Sequence, residues 1–212
     1  MTDGILFDLD GTLWDAVDSI CISWNHGMVN CGLSPRITPE SIRGCMGLLL
    51  RDIADRLMPD LDPERRQAVM AECARCQAQE LPRLGGRLYP DLEDTLDTLR
   101  TRCPLFVVSN CQGGYIESFF AFSGLGGYFP DYECPGRTGK TKAENIRLVC
   151  ERNGLRRPVY VGDTQGDCSA ARGAGVPFIH AAYGFGSVRE AVPSLSWIAD
   201  LPGLLTGPQA PV

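Results

Sequence analysis

Histidine is scarce in this 212-residue chain, which holds two, His26 and His180. Neither joins a serine and an aspartate, or a cysteine, in a pattern that would make a nucleophilic triad. No apolar run approaches the roughly 20 residues needed to cross a bilayer. No room is expected for a secretory leader ahead of the apolar segment that begins near Gly4. Repeats and low-complexity tracts are missing, and so is a surplus of basic charge. The formal net charge is -6, which argues against a nucleic-acid partner, because phosphate backbones select basic surfaces. A small anionic substrate stays open, since a few focused Lys or Arg residues suffice to bind one.

Cysteine, by contrast, is abundant. The ten are scattered through apolar and helical stretches. Only Cys73-Ala74-Arg75-Cys76 has the spacing of a metal-binding pair, and neither a second pair nor a histidine completes it. Free, mostly buried thiols are expected, and with them a reducing, cytoplasmic setting without membrane attachment. Composition is that of a soluble globular protein, 44% hydrophobic and 22% charged. The length suits one large domain, or a medium domain carrying an insertion. Nothing in it reports oligomeric state, monomer or homodimer.

Ile5-Leu6-Phe7 reads as a buried strand that ends on Asp8. Residues 14–86 then read as a helical insertion without strands. A helix runs from Asp15 to Cys31; Thr38-Pro39-Glu40-Ser41 marks a second start, with Thr38 as cap and Pro39 in the first helical position. Gly44 and Gly47 interrupt that helix, and Asp62-Pro63-Glu64-Arg65 opens another to about Leu81. Beyond Gly85-Gly86, strands alternate with helices. Pro90 to Arg102 is helical, 105–108 a strand, and a helix comes after Gly113-Gly114. An extended piece spans 131–134, and a helix 142–153. A strand at 159–161 and a helix at 167–174 precede another strand at 176–179, which Pro177 near its start marks as an edge. This alternation implies a doubly wound parallel sheet of the α/β class, with 1–13 and 87–212 as its core. Gly207 to Val212 should be frayed.

In such a sheet, ligands bind beyond the carboxyl ends of the strands. At those ends the chain places Asp8 and Asp10, then Ser109 and Asn110, then Asp163 with Asp167 four residues on. Asp8 and Asp10 share one face of an extended segment, and Gly11 lets the backbone turn after them. Taken alone, each cluster has a plain use: Asp-x-Asp-Gly as a surface turn, Ser109-Asn110 as a turn or cap, Asp167 as a helix cap, Lys140 and Lys142 as solvated loop residues. Together they suggest phosphoryl transfer. Asp8, Asp10 and Asp163 supply hard oxygens for Mg2+, while Ser109, Asn110 and a lysine hold phosphoryl oxygens. Cys111 has no histidine beside it and reads as a packing residue.

Asp8-Leu9-Asp10-Gly11-Thr12, Ser109-Asn110, Lys142 and Gly162-Asp163-Thr164-x-x-Asp167 resemble, in order, the four motifs of the haloacid dehalogenase-like hydrolase superfamily. The match spans residue 5 to about 186. Residues 14–86 resemble its mobile α-helical cap, Tyr89-Pro90-Asp91-Leu92 resembles the return to the core, and the chain looks most like the phosphoglycolate phosphatase-type branch. The resemblance implies a Mg2+-dependent phosphatase acting on a small phosphate ester. Asp8 would be the nucleophile and Asp10 the acid and base. Asp8, the Asp10 carbonyl and Asp163 would hold the metal, with Asp167 assisting from behind. Ser109, Asn110 and Lys142 would bind the phosphoryl group. The family lysine often sits in Lys-Pro, absent here, so Lys140 also fits the spacing; Lys142 is preferred because Lys-Ala-Glu-Asn-Ile looks more like the family's helix start. Dehalogenases of the superfamily have no aspartate at the place of Asp10, which favours phosphate esters.

A sugar phosphomutase on the same fold is the alternative. A phospho-aspartate signalling module fits less well, because such modules lack a helical insertion after the first strand. Within the insertion, the Gly44–Arg51 segment is the candidate for substrate recognition, through Gly47 and Arg51. Arg43 and Arg51 would equally serve as solvated helix residues.

Overall fold

The computed structural model describes residues 2–206. The chain begins with β1 (Gly4–Phe7) and the two-residue β2 (Trp14–Asp15), before the helices α1 (Val17–Asn30), α2 (Pro39–Arg43), α3 (Leu50–Leu57) and α4 (Pro63–Leu84). Then come β3 (Arg87–Leu88), α5 (Leu92–Arg100), β4 (Leu105–Val108), α6 (Tyr115–Ser123), β5 (Asp131–Glu133), α7 (Pro135–Thr138) and α8 (Lys142–Arg152). The last elements are β6 (Pro158–Gly162), α9 (Gln165–Ala174), β7 (Phe178–Ala181), β8 (Ser194–Leu195) and α10 (Leu201–Leu204).

Six strands form one sheet in the order β5-β4-β1-β6-β7-β8, and every pairing is parallel. Side chains alternate between its faces. Ile5, Phe7, Leu105, Val107, Val159 and Val161 enter one core, with Leu96 and Leu99 of α5 and Ile116 and Phe119 of α6. Leu6, Phe106, Val108 and Tyr160 enter the other, with Ile146 and Val149 of α8 and Cys168 and Ala171 of α9. Both faces are covered, which is why these strands read as unbroken apolar runs rather than alternating ones. From β1 the chain moves outward through β4 and β5, then crosses back to β6 on the other side. Strand order thus reverses beside β1, and the loops there part to leave a crevice.

The helical layer starts where local chemistry says it should. Thr38 caps α2 by accepting from the Ser41 N–H, with Pro39 in the first turn, and Asp62 caps α4 by accepting from the Arg65 N–H. Helices α1 and α4 approach so closely that a Cβ on Gly27 would stand 2.6 Å from the Cys73 Cα. All ten cysteines are free, and all but Cys31 and Cys111 are buried. Among the described residues, no helix is long and apolar enough to cross a membrane.

Four local expectations change. Residues 14–86 are not free of strand, because Trp14–Asp15 pairs antiparallel with Arg87–Leu88. The chain leaves and re-enters the sheet layer side by side there, and the two extended segments satisfy each other's backbone groups. The first helix begins at Val17, whose N–H donates to the Asp15 side chain at 3.1 Å. β7 is interior, between β6 and β8; Pro177 precedes it and uses only its carbonyl, which accepts from the Tyr160 N–H at 2.9 Å. Asp167 is the third residue of α9, and Thr164 is the cap. The expectation for Gly207 to Val212 lies outside the described residues.

Candidate active site

The backbone of β1 runs on into Asp8, whose N–H donates to Val161 at 2.8 Å. The chain then turns at Gly11, with φ +80°. A Cβ at Gly11 would come within 2.2 Å of Asp163 Oδ2, so the glycine is what lets the loop after β1 meet the loop after β6. Lys142 opens α8 behind a Thr141–Glu144 capping box. Its Nζ donates to Asp8 Oδ1 at 2.7 Å and also to Asp167 Oδ1, above the Tyr160 ring at 5.5 Å. Lys140 is exposed. The ammonium that faces Asp8 is therefore that of Lys142.

Asp8, Lys142, Asp163 and Asp167 are all buried. The Asp167 oxygens are engaged: Oδ1 with Lys142, Oδ2 with the Thr164 N–H at 2.9 Å and its hydroxyl at 2.7 Å. Asp163 differs. Its Oδ2 accepts from the Phe185 and Gly186 N–H groups at 2.7 and 3.3 Å, whereas its Oδ1 is buried with no partner. One carboxylate oxygen each from Asp8, Asp163 and Asp167 lie within 4.8 Å of one another. A buried acceptor without a donor, among carboxylates that one ammonium only partly offsets, fits a hard divalent cation.

Electrostatics point the same way. Burial pushes the Asp163 carboxyl up to about 8, with Asp8 and Asp167 adding to it. Burial also raises Asp8, with Asp167 reinforcing and Lys142 opposing. Lys142 stays charged: burial disfavours its ammonium, but Asp167 and Asp8 outweigh that and raise it well above its usual value.

Asp10 is held differently. Its Oδ1 accepts from the Tyr115 hydroxyl at 2.7 Å, and its carboxylate is not one of the three that cluster. Burial lifts Asp10 to about 7; the Tyr115 hydrogen bond opposes this and Asp8 adds to it. Ser109 is buried at the end of β4, its N–H donating to Glu133 at 3.2 Å. Asn110 Nδ2 donates to the Gly47 carbonyl at 3.0 Å, while its Oδ1 is buried and unpartnered. Gly47, with φ +80°, thus carries the helical layer onto the site. Arg51 is not part of the lining of the space beside Asp10, although Leu50 and Ile53 are. Its side chain is 81% exposed and lies 3.3 Å from Asp52, its neighbour in sequence.

Sequence reasoning missed three contributors. Tyr115 holds Asp10, and Phe185 and Gly186 hold Asp163 through backbone groups. Gly184-Phe185-Gly186 after β7 carried a faint signal, since glycines at a strand end permit close backbone approach. Tyr115 carried none.

Comparison with known proteins shows the family and the fold. The family model described as haloacid dehalogenase-like hydrolase matches residues 5–181. A phosphoglycolate phosphatase from Rhodobacter capsulatus is 29% identical over 219 residues, covering 98% of each chain. One from Aquifex aeolicus is 27% identical over 209 residues, covering 95% of each. The solved structure of a haloacid dehalogenase-like family hydrolase from Streptococcus pneumoniae superposes with a TM-score of 0.84 at 19% identity, over 97% of this chain and 99% of that one. That likeness speaks to the fold alone.

Proposed function

Since this chain belongs to the haloacid dehalogenase-like hydrolase family, we propose that it is a Mg2+-dependent phosphatase that hydrolyses a small phosphomonoester through an aspartyl-phosphate on Asp8. Its class is that of the phosphoric monoester hydrolases, and phosphoglycolate is the substrate for which its relatives are named. One observation carries the reading. Asp8 is held by the Lys142 ammonium at 2.7 Å, beside an Asp163 oxygen that is buried and unpartnered.

Asp8 attacks phosphorus as the bond to the ester oxygen breaks, which leaves a phosphoryl group on its carboxylate. Asp10 donates a proton to the departing alkoxide. It then takes one from the water that attacks the aspartyl-phosphate, which releases inorganic phosphate and restores Asp8. Such positioned acid–base help is worth about 10²- to 10⁴-fold. Tyr115 keeps the Asp10 carboxyl in place. Ser109, Asn110 and Lys142 hold the phosphoryl oxygens, and Asp167 fixes Lys142. Asp8, Asp163 and the Asp10 carbonyl would hold Mg2+, which would supply positive charge to offset that of the phosphoryl oxygens. Residues 14–86 form a cap over a core of 1–13 and 87–212, hinged at the paired strands β2 and β3. Its Gly47 carbonyl occupies the Asn110 amide that a phosphoryl oxygen would claim.

The test is release of phosphate from a generic aryl phosphate with Mg2+. Asp8→Asn should abolish it, and turnover that survives both Asp8→Asn and chelation would sink the reading. Inorganic phosphate as the stoichiometric product separates the phosphatase from a phosphomutase, which isomerises a sugar phosphate and releases almost none.

A further inference from the structure

The proton donor locates the leaving alcohol, because a general acid must lie within hydrogen-bond reach of the oxygen it protonates. Asp10 opens onto a cavity of about 50 Å³ between the sheet ends and the helical layer. Its lining towards the helical layer includes Ile20, Trp24, Ile42, Met46, Leu48 and Ile53. Two neutral amides supply polarity away from the phosphate end. Gln112 Nε2 donates to Gln77 Oε1 at 3.3 Å, and Gln77 also accepts from the Trp24 indole. Among the described residues, no lysine, arginine or histidine lines this cavity. Arg51 points to solvent. Arg43 and Arg87 line a different opening with Asp15, Tyr89 and Tyr183, and Arg87 lies 3.3 Å from Asp15 there. That opening reaches Phe185, whose N–H holds Asp163, but Asp10 is not part of its lining, and Asp8 lines neither space.

We infer that the substrate is the phosphate monoester of an uncharged alcohol with an apolar body, and that leaving groups bearing a carboxylate or a second phosphate are rejected. This rests on the phosphatase reading, with Asp10 as the acid that protonates the leaving group. An anion placed among Ile42, Leu48, Ile53 and Trp24 would give up its hydration without meeting a cation, a cost that neutral amides do not repay. An uncharged hydroxyl or carbonyl on the same body would meet Gln77 or Gln112 at little cost. Phosphoglycolate, the substrate named for the relatives, carries its carboxylate on the leaving side. By this chain's own residues it is a poor substrate.

The experiment compares kcat/KM of the wild-type enzyme, with Mg2+, for ethyl phosphate, n-propyl phosphate and 2-phosphoglycolate, whose leaving groups are small enough for that cavity, with 4-nitrophenyl phosphate as the generic ester. The uncharged esters should exceed phosphoglycolate on the order of a hundredfold, the scale of leaving a buried charge unpaired. Leu48→Arg, which adds a guanidinium to the lining, should narrow that ratio by about tenfold or more through a gain on phosphoglycolate. Met46→Arg makes the same test if Leu48→Arg does not fold. A wild-type enzyme that prefers phosphoglycolate, or treats all three esters alike, overturns the inference. A ratio unmoved by a folded arginine variant overturns it as well. Failure to hydrolyse even 4-nitrophenyl phosphate instead overturns the phosphatase reading, and the inference with it.

Discussion

Lys142 Nζ lies 2.7 Å from Asp8 Oδ1 across 134 residues of chain, and the two side chains are 4% and 3% exposed. Both groups have left water; Lys142 opposes the effect of burial on Asp8, and Asp167 and Asp8 together keep the ammonium charged. Asp167 shares the same ammonium and Asp163 stands beside it, so the buried cluster holds more acid than one lysine offsets. That imbalance is the physical basis of the proposed metal site.

Removing the ammonium should be costly. Lys142→Met leaves Asp8 and Asp167 facing each other in a buried site, at about 3–5 kcal/mol for an uncompensated charge. Denaturant unfolding should show a loss of that order in metal-free buffer, with part of it recovered on adding Mg2+. Turnover should fall below detection. Wild-type stability in Lys142→Met would mean that the pair carries no energetic weight.

Tyr115→Phe deletes the hydroxyl that donates to Asp10 at 2.7 Å and leaves the ring packed against Trp14. The loss should depend on the leaving group. An alkyl phosphate, which needs its proton delivered, should lose about ten- to hundredfold in kcat/KM, which covers formation of the aspartyl-phosphate and not the later water attack. 4-Nitrophenyl phosphate, whose phenolate leaves unprotonated, should lose little by the same measure. Equal losses on the two esters would indicate a purely structural tyrosine.

The acids also predict a pH dependence for the metal-free protein. Asp163 is raised from 3.8 to about 8 and Asp10 to about 7. The folded state therefore binds protons more tightly than the unfolded chain does. Stability from this source is fully present at low pH and is lost as pH rises from about 4 through the raised values. Melting temperature in chelator should decline between pH 5.5 and pH 8.5. Mg2+ should raise it more at the alkaline end, with protons released on binding. A Mg2+ increment that is largest at pH 5.5 would contradict the proposed site.

Substrate recognition should run through Gly47 rather than Arg51. Arg51→Ala removes a side chain that is 81% exposed, and kcat and KM should both stay within about twofold. At Gly47, φ is +80° and a Cβ would stand 3.2 Å from Thr164. Gly47→Val should therefore displace the loop and cut kcat/KM about tenfold or more, since misplacing a positioning element by about 1 Å can cost 10²-fold.

The places where sequence and structure agree share one cause. Ile5-Leu6-Phe7, Leu105 to Val108 and Val159 to Val161 are unbroken apolar runs because a parallel sheet covered on both faces tolerates little else. The chain just past each run falls at the lip of the sheet, so Asp8, Ser109 and Asp163 were legible from the residue order. Thr38-Pro39 and Asp62-Pro63 were legible for an equally local reason, since a cap satisfies backbone groups within its own first turn.

What stayed hidden depends on partners far along the chain. The strand at Trp14 exists only because Leu88 lies beside it, and two residues carry no periodicity. Tyr115 meets Asp10 across 105 residues. Whether Arg51 faced the site or the solvent turned on how α3 packs. The sequence by itself determined the order of elements and the acids at their ends, because hydrophobic burial and capping act over a few residues. Tertiary structure alone decided which acid keeps an open oxygen, which lysine faces Asp8, and that the cavity beside Asp10 is lined by apolar and neutral groups rather than cations. Those outcomes depend on the packing of side chains brought together from distant segments, which no local pattern encodes.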